Sequence, residues 1–193
     1  MRIHRVVNAL AMAGTLFPPL CLAAPNTQGL SLDFTAVIEE TTCVMKVSSL
    51  SNISVSGSDT QYALTVPNIG LSELLNATNK TEGNFKILPQ ECNNAITSIT
   101  MSVKGTTLSN TSFMLKNSLT GSGNAENVGL GFKPQGSQDG DRLRLDGTVK
   151  TDWTPDQITN GMDMTAFFRR ASSSLTPTTG DFQAKATFTF TYK

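Results

Sequence analysis

The stretch GDFQAKATFTFTYK, residues 180–193, places an apolar residue at every second position from Phe182 onward. The apolar residues on this face are Phe182, Ala184, Ala186, Phe188, Phe190 and Tyr192. Strict alternation predicts a β-strand with one buried face and one face in water. Such a strand needs a neighbour along each edge, because unpaired backbone groups promote association with other chains. The stretch therefore raises the question of which chain pairs with its second edge.

Residues 1–23 have the three parts of an export signal. MRIHR is basic, VVNALAMAGTL is short and apolar, and CLA offers a cleavage site before Ala24. A membrane-spanning helix needs about 20 mostly apolar residues, and Pro18 and Pro19 interrupt this run. We therefore predict a signal peptide that is cleaved near Ala23.

Cleavage there would remove Cys21 and His4. Cys43 and Cys92 would remain in a compartment that favours oxidation, so we predict a disulfide between them. Without histidine, the mature chain would have no ordinary catalytic triad and no histidine metal site. Loss of Arg2 and Arg5 would leave a small net negative charge, which gives no basic surface for nucleic acid.

Short apolar runs separated by Gly, Asn, Ser and Asp fill the rest of the chain. They predict a helical turn at 72–76 and strands at 30–42, 62–66, 84–88, 98–104, 113–116, 128–132, 142–145, 162–169 and 182–192. Many short strands joined by turns indicate an all-β, antiparallel sandwich. The mature length suits one domain.

Two stretches resemble ligand-binding motifs, but each lacks residues that the motif requires. Gly129-Leu130-Gly131 begins like a dinucleotide-binding loop, but Pro134 occupies the third glycine position. The stretch DGDRLRLDG, residues 139–147, fails as an EF-hand calcium loop and instead predicts a hairpin with two Asp-Gly turns. We predict neither enzyme activity nor a metal or other cofactor.

Three further residues each leave two interpretations open. Trp153 could stack on a sugar ring, but a packing role is favoured for an aromatic side chain. Arg169 and Arg170 could contribute to an anion contact, or they could simply end a strand in solvent.

The segment LSLDFTAVI, residues 30–38, alternates in the same way as the C-terminal stretch. Its apolar face carries Leu30, Leu32, Phe34, Ala36 and Ile38. The chain also has an export signal, a cysteine pair whose second member ends FKILPQEC, a glycine at 180 and a tyrosine at 192. In these features it resembles the subunits of chaperone-usher fimbriae, the type 1-like bacterial pilins.

This resemblance implies an incomplete immunoglobulin-like sandwich that lacks one strand. In that family a periplasmic chaperone lends a strand to the C-terminal alternating segment, and at the outer-membrane usher the N-terminal segment of a neighbouring subunit replaces it. By resemblance, residues 24–38 would be the donor segment and 39–193 the pilin domain. The groove edge would comprise Gly180, the apolar residues from Phe182 to Tyr192, and Lys193, whose carboxylate the chaperone would anchor.

Ala36 departs from the family pattern, which usually has glycine seven residues before the first cysteine. The extra methyl group could overpack a groove shaped for glycine, at a cost of about 1–3 kcal/mol. The resemblance otherwise implies a structural, non-catalytic subunit, exported through the periplasm to a cell-surface fimbria. A minor or adaptor position that contributes to adhesion is favoured, and a carbohydrate-binding fimbrial adhesin is the alternative.

Overall fold

The computed structural model describes residues 42–58 and 60–193, so the predicted signal peptide and the segment 30–38 lie outside the described residues. Within this part, two short helices are α1 (Leu71–Leu75) and α2 (Pro155–Asn160), and single 3-10 turns occupy Asn79–Thr81 and Asp139–Asp141. The strands are β1 (Val44–Ser51), β2 (Ser54–Ser58), β3 (Gln61–Thr65), β4 (Glu82–Gln90), β5 (Ile99–Gly105), β6 (Leu115–Lys116), β7 (Val128–Pro134), β8 (Thr151–Asp152), β9 (Met162–Arg170) and β10 (Ala186–Tyr192).

The described strands form two antiparallel sheets that face each other. Sheet one has the order β1-β4-β9-β7-β6, sheet two has the order β10-β5-β8, and β2 and β3 form a separate hairpin. Every second residue of the central strands points into the core, as expected for strands with one buried face. These core residues are 3% exposed or less: Phe85, Ile87, Ile99, Met101, Val103, Met162, Met164 and Ala166. The predicted all-β sandwich is confirmed.

Residues 142–153 close one side of the sandwich. The Leu143 N–H donates to the Phe132 carbonyl on β7 at 2.8 Å, which ties this segment to sheet one. The Gly147 N–H then donates to the Val103 carbonyl on β5 at 3.0 Å, and β8 continues the pairing with β5. The segment therefore passes from one sheet to the other and covers the core between them.

The predicted hairpin at 139–147 and its strand at 142–145 are wrong. Asp139 begins a 3-10 turn, and the main-chain N–H groups of Leu143 and Gly147 donate to β7 and β5 instead of pairing across a hairpin. Leu145 is fully buried, and its N–H donates to the Ser112 carbonyl at 2.7 Å. Burial of Leu145 between the sheets favours a segment that passes from one sheet to the other. The two Asp-Gly pairs lie where this segment changes direction.

The first described strand was not predicted. Strand β1 starts after Cys43 and pairs with β4, with Val44 opposite Gln90. Cys43 and Cys92 lie just beyond this first pair and are joined by a disulfide, with their Cα atoms 4.2 Å apart. The predicted disulfide is therefore present, and it fixes the end of the β1–β4 ladder.

Replacing both Cys43 and Cys92 by serine should lower the free energy of unfolding. The two residues are 49 positions apart, and a crosslink over such a loop contributes about 4 kcal/mol by the chain-entropy estimate. Urea unfolding of the oxidised wild-type chain and the double variant measures the difference. A loss smaller than about 1 kcal/mol would show that the disulfide does not constrain the unfolded chain.

Gly131→Ala should destabilise the fold, because a Cβ atom at this position would lie 2.4 Å from Cζ of Phe167 on the neighbouring strand. We expect a loss of about 1–3 kcal/mol from overpacking. Gly140→Ala is the matched control, since a Cβ there meets nothing within 4 Å, and its effect should stay within about 0.5 kcal/mol. Equal unfolding midpoints for the two variants would contradict the packing.

Candidate functional site

The other side of the sandwich is bounded by β1 of sheet one and β10 of sheet two. Among the described residues, β1 pairs in its sheet only with β4, and β10 pairs only with β5. Both are edge strands, and no described strand joins them. We call the opening between them the groove, and define it by Met45 and Val47 on β1 and by Ala186, Phe188, Phe190 and Tyr192 on β10.

The side chains that define the groove are only half-buried, although they pack against the core. On the adjacent strand β5, by contrast, Ile99, Met101 and Val103 are at most 2% exposed. Partial burial along the whole inner face of a strand is expected where a covering strand is missing. The groove thus exposes apolar surface that belongs to the core, and such surface marks an interaction site.

Two aromatic contacts hold the groove face of β10 against the core. Phe188 meets Phe132 edge-to-face with ring centroids 5.3 Å apart, and Phe190 meets Trp153 in the same way at 5.9 Å. Trp153 is 5% exposed, and its Nε1 atom has no hydrogen-bond partner among the described residues. The indole is therefore a core residue beneath the groove and is not open to a sugar ring.

The backbone of β10 directs hydrogen-bonding groups into the groove. Lys193 and Ser98 exchange two hydrogen bonds of 3.0 and 2.9 Å, so they form a hydrogen-bonded pair. Bonded and non-bonded pairs alternate along antiparallel strands, and β10 keeps an unbroken register with β5. Thr187, Thr189 and Thr191 therefore bond to β5. The N–H and C=O groups that point away from β5, toward the groove, are those of Ala186, Phe188, Phe190 and Tyr192.

Tyr192 spans the groove at its disulfide end. Its hydroxyl donates to the main-chain carbonyl of Cys43, at the start of β1, over 3.4 Å. Burial raises the pKa of the Tyr192 hydroxyl, so the group stays protonated and able to donate. The main-chain oxygen of Lys193 is also bound within the chain, by Thr97 and Ser98. This end of the groove is thus fixed by contacts between its two edges.

Gly180, Phe182 and Ala184 precede the observed strand, which begins at Ala186. A Cβ atom on Gly180 would lie 2.4 Å from the Gly123 carbonyl oxygen, so only glycine allows this close passage. Phe182 packs edge-to-face on Phe168 at 5.1 Å, in a second core cluster. Gly180 and Phe182 therefore position β10 and do not themselves define the groove.

The contribution of β1 to the groove was missed from the sequence. Met45 and Val47 alternate in VMKV, but this run is short and is followed by the polar residues of SSLS. The described residues contain no cluster of metal-ligating side chains. No helix among them has the length and apolar character needed to cross a membrane.

A sequence profile of the fimbrial protein family matches residues 47–193. The chain belongs to this family. It is 27% identical over 193 residues to an uncharacterized fimbrial-like protein, YadM, of Escherichia coli (strain K12), with 98% of this chain and 97% of that protein covered. The fold is similar to that of the crystal structure of the P pilus rod subunit PapA, with a TM-score of 0.52 and 15% identity over 84% of this chain and 100% of that one.

The resemblance to fimbrial subunits is thereby confirmed. Members of this family are structural pilins of cell-surface pili, and the family is not an enzyme class. The groove is the feature of this pilin in which core side chains and unpaired backbone lie together. The donor residues 30–38 lie outside the described residues, and their role stays a prediction.

In the unassembled chain, the amides of Phe188 and Phe190 should exchange with solvent at least about tenfold faster than those of Thr189 and Thr191. The threonine N–H groups donate to β5, whereas those of the two phenylalanines point into the groove. Hydrogen exchange followed by NMR resolves these neighbouring amides. Equal protection of both sets before any strand is added would contradict an open edge at β10.

Proposed function

We propose that this chain is a non-catalytic structural subunit that enters a fimbria by donor-strand exchange. The observation that carries the proposal is the coincidence at β10 of two features on the same residues. Phe188 and Phe190 expose core side chains to the groove, and their backbone groups face the same opening. An added strand would satisfy both needs at once, through main-chain hydrogen bonds and alternate side chains.

The segment 30–38 of a neighbouring copy or related subunit has the pattern that such a groove requires. Its residues at even numbers, from Leu30 to Ile38, are all apolar. In an extended chain these side chains share one face, so they can enter the groove while the intervening residues remain outside. The groove of this chain would accept a donor, and its own segment would fill the groove of another subunit.

An open groove needs protection before assembly, because unpaired edges and exposed core surface promote aggregation. A periplasmic chaperone that lends a strand to β10 would supply this protection. At the outer-membrane usher, the donor segment of a neighbouring subunit would replace the chaperone's strand. The export signal predicted at residues 1–23 supports this route. The apolar groove residues make the chain depend on a strand from outside for a complete core.

Within the fimbria we propose a minor or adaptor position. Ala36 carries a methyl group where the family usually has glycine, which suits an acceptor groove with more room at that point. A dedicated neighbour with such a groove fits an adaptor better than a uniform shaft. Antibody labelling of isolated fimbriae distinguishes the two positions, since an adaptor gives sparse labels and a shaft subunit gives continuous ones.

Phe34→Asp should abolish incorporation into fimbriae. The substitution would place a carboxylate in the apolar groove of the acceptor, where an unpaired charge is strongly disfavoured. The variant should still accumulate with its chaperone, because its own β10 is unchanged. Both quantities are measured by immunoblotting of sheared fimbriae and of periplasmic extracts.

Thr35→Asp is the matched control, because it adds the same charge on the opposite face of the alternating segment. It should be incorporated at close to the wild-type level. Incorporation of the Phe34 variant at that same level would show that residues 30–38 are not the donor. Loss of both variants from the periplasm would instead indicate a general defect in export.

A further inference from the structure

Met45 is a methionine at the open edge of the groove. It lies on β1 opposite Pro89 of β4, and directly opposite residues of paired strands share one face of the sheet. Pro89 is buried, whereas Met45, one strand nearer the open edge, is only half-buried. The other methionines that the structure describes are at most 4% exposed: Met101, Met114, Met162 and Met164. Among residues 42–58 and 60–193, Met45 is therefore the one thioether that a small solute can readily reach.

The sulfur of Met45 is also the sulfur in this part of the chain that is open to oxidation. Cys43 and Cys92 are joined in the disulfide, so neither offers a thiol. An oxidant must contact a thioether to oxidise it, so burial protects the other four methionines, whereas the open groove leaves Met45 accessible. An oxidant that enters the periplasm would therefore act on this subunit at the groove.

Hydrogen peroxide would convert Met45 to the sulfoxide in one balanced step. The thioether sulfur donates a lone pair to one peroxide oxygen, the O–O bond breaks, and the other oxygen leaves as water after it takes up the proton. The sulfur is oxidised and the peroxide is reduced, so no further reactant is needed. Methionine sulfoxide reductases restore the thioether, which makes the modification reversible.

The added oxygen has different consequences in an open and in a filled groove. In the open groove the S=O group lies at the surface, where water can donate a hydrogen bond to it. Under an added strand it would face apolar side chains, because the alternating segment 30–38 carries only apolar residues on its inward face. A buried acceptor without a donor disfavours the filled groove, and such a loss lowers an association constant about five- to a hundredfold.

We propose that Met45 is a redox-sensitive modification site, at which oxidation to the sulfoxide prevents an added strand from filling the groove. This inference rests on the proposed donor-strand exchange and adds a condition to it, since a subunit is oxidised only while its groove is open. A strand that covers Met45 shields the sulfur, whether the strand comes from a chaperone or from another subunit. Subunits oxidised before they are covered are left out of the fimbria.

Peroxide treatment of cells that export the full chain tests this site. Existing fimbriae are sheared off, hydrogen peroxide is added during new assembly, and the unassembled subunits and the new fimbriae are then analysed separately by peptide mass spectrometry. We expect the sulfoxide fraction at Met45 to be about tenfold lower in fimbriae than in unassembled subunits. In the unassembled subunits it should also exceed the fraction at each of the four buried methionines. Equal fractions at Met45 in the two pools, or no preference for Met45 over the buried methionines, would overturn the proposal.

Met45→Leu should remove the sensitivity to peroxide, because leucine has a similar volume and no sulfur. The readout is the amount of subunit in fimbriae with peroxide, divided by the amount of the same variant without peroxide. This ratio should fall for the wild type and stay near one for Met45→Leu. Met114→Leu is the matched control, since it removes a buried methionine outside the groove, and its ratio should fall as for the wild type. A fall of equal size in both variants would show that peroxide acts at another position.

Failure of this site is distinguishable from failure of donor-strand exchange. Normal incorporation of the Phe34→Asp subunit, which needs no peroxide, would contradict the exchange itself. If that variant is excluded while wild-type subunits with oxidised Met45 still enter fimbriae, the exchange stands and the modification site is wrong.

Discussion

A sandwich of two sheets must be covered on both of its open sides, and the residues that the structure describes cover only one. Residues 142–153 bond first to β7 and then to β5, which seals the core between those strands. Between β1 and β10 no described strand plays this part. The half-buried state of Phe188 and Phe190 and the direction of their backbone groups both follow from this asymmetry. Under the proposed donor-strand exchange, assembly would therefore complete the core of this subunit.

Completion by an added strand requires two edges held at a fixed separation, because a strand must reach hydrogen-bonding distance of its neighbour along its whole length. The disulfide ties the start of β1 to the end of β4, and the Tyr192 hydroxyl reaches from β10 to the Cys43 carbonyl. These contacts act on backbone positions at one end of the groove. They pre-organise the groove, so that less ordering would be needed for the proposed donor strand to bind.

Alternation along residues 182–192 was enough to predict which side chains of β10 face the core. It did not predict where the strand begins. The positions of Gly180 and Phe182 are set by contacts with residues far away in the sequence, which the alternation does not reveal. In strand β1 only Met45 and Val47 show the alternation of a half-buried strand, and its partner β4 lies far away in the sequence. Helix α2 did carry a local signal, because Thr154 and Gln157 form a capping box around Pro155, but its six residues lack an apolar period.

The outward face of β9 explains why added strands would be directed to the groove. Phe167 points outward, and left open it would add an apolar patch on the sheet surface. Lys133 and Arg169 cover its ring, and a glycine at 131 lets it lie flat against β7. Carboxylates then neutralise the two cations, so the surface stays polar and uncharged overall. In the proposed exchange, an incoming apolar segment would therefore meet both core side chains and unpaired backbone at β10 but neither on this face, and it would be directed to the groove.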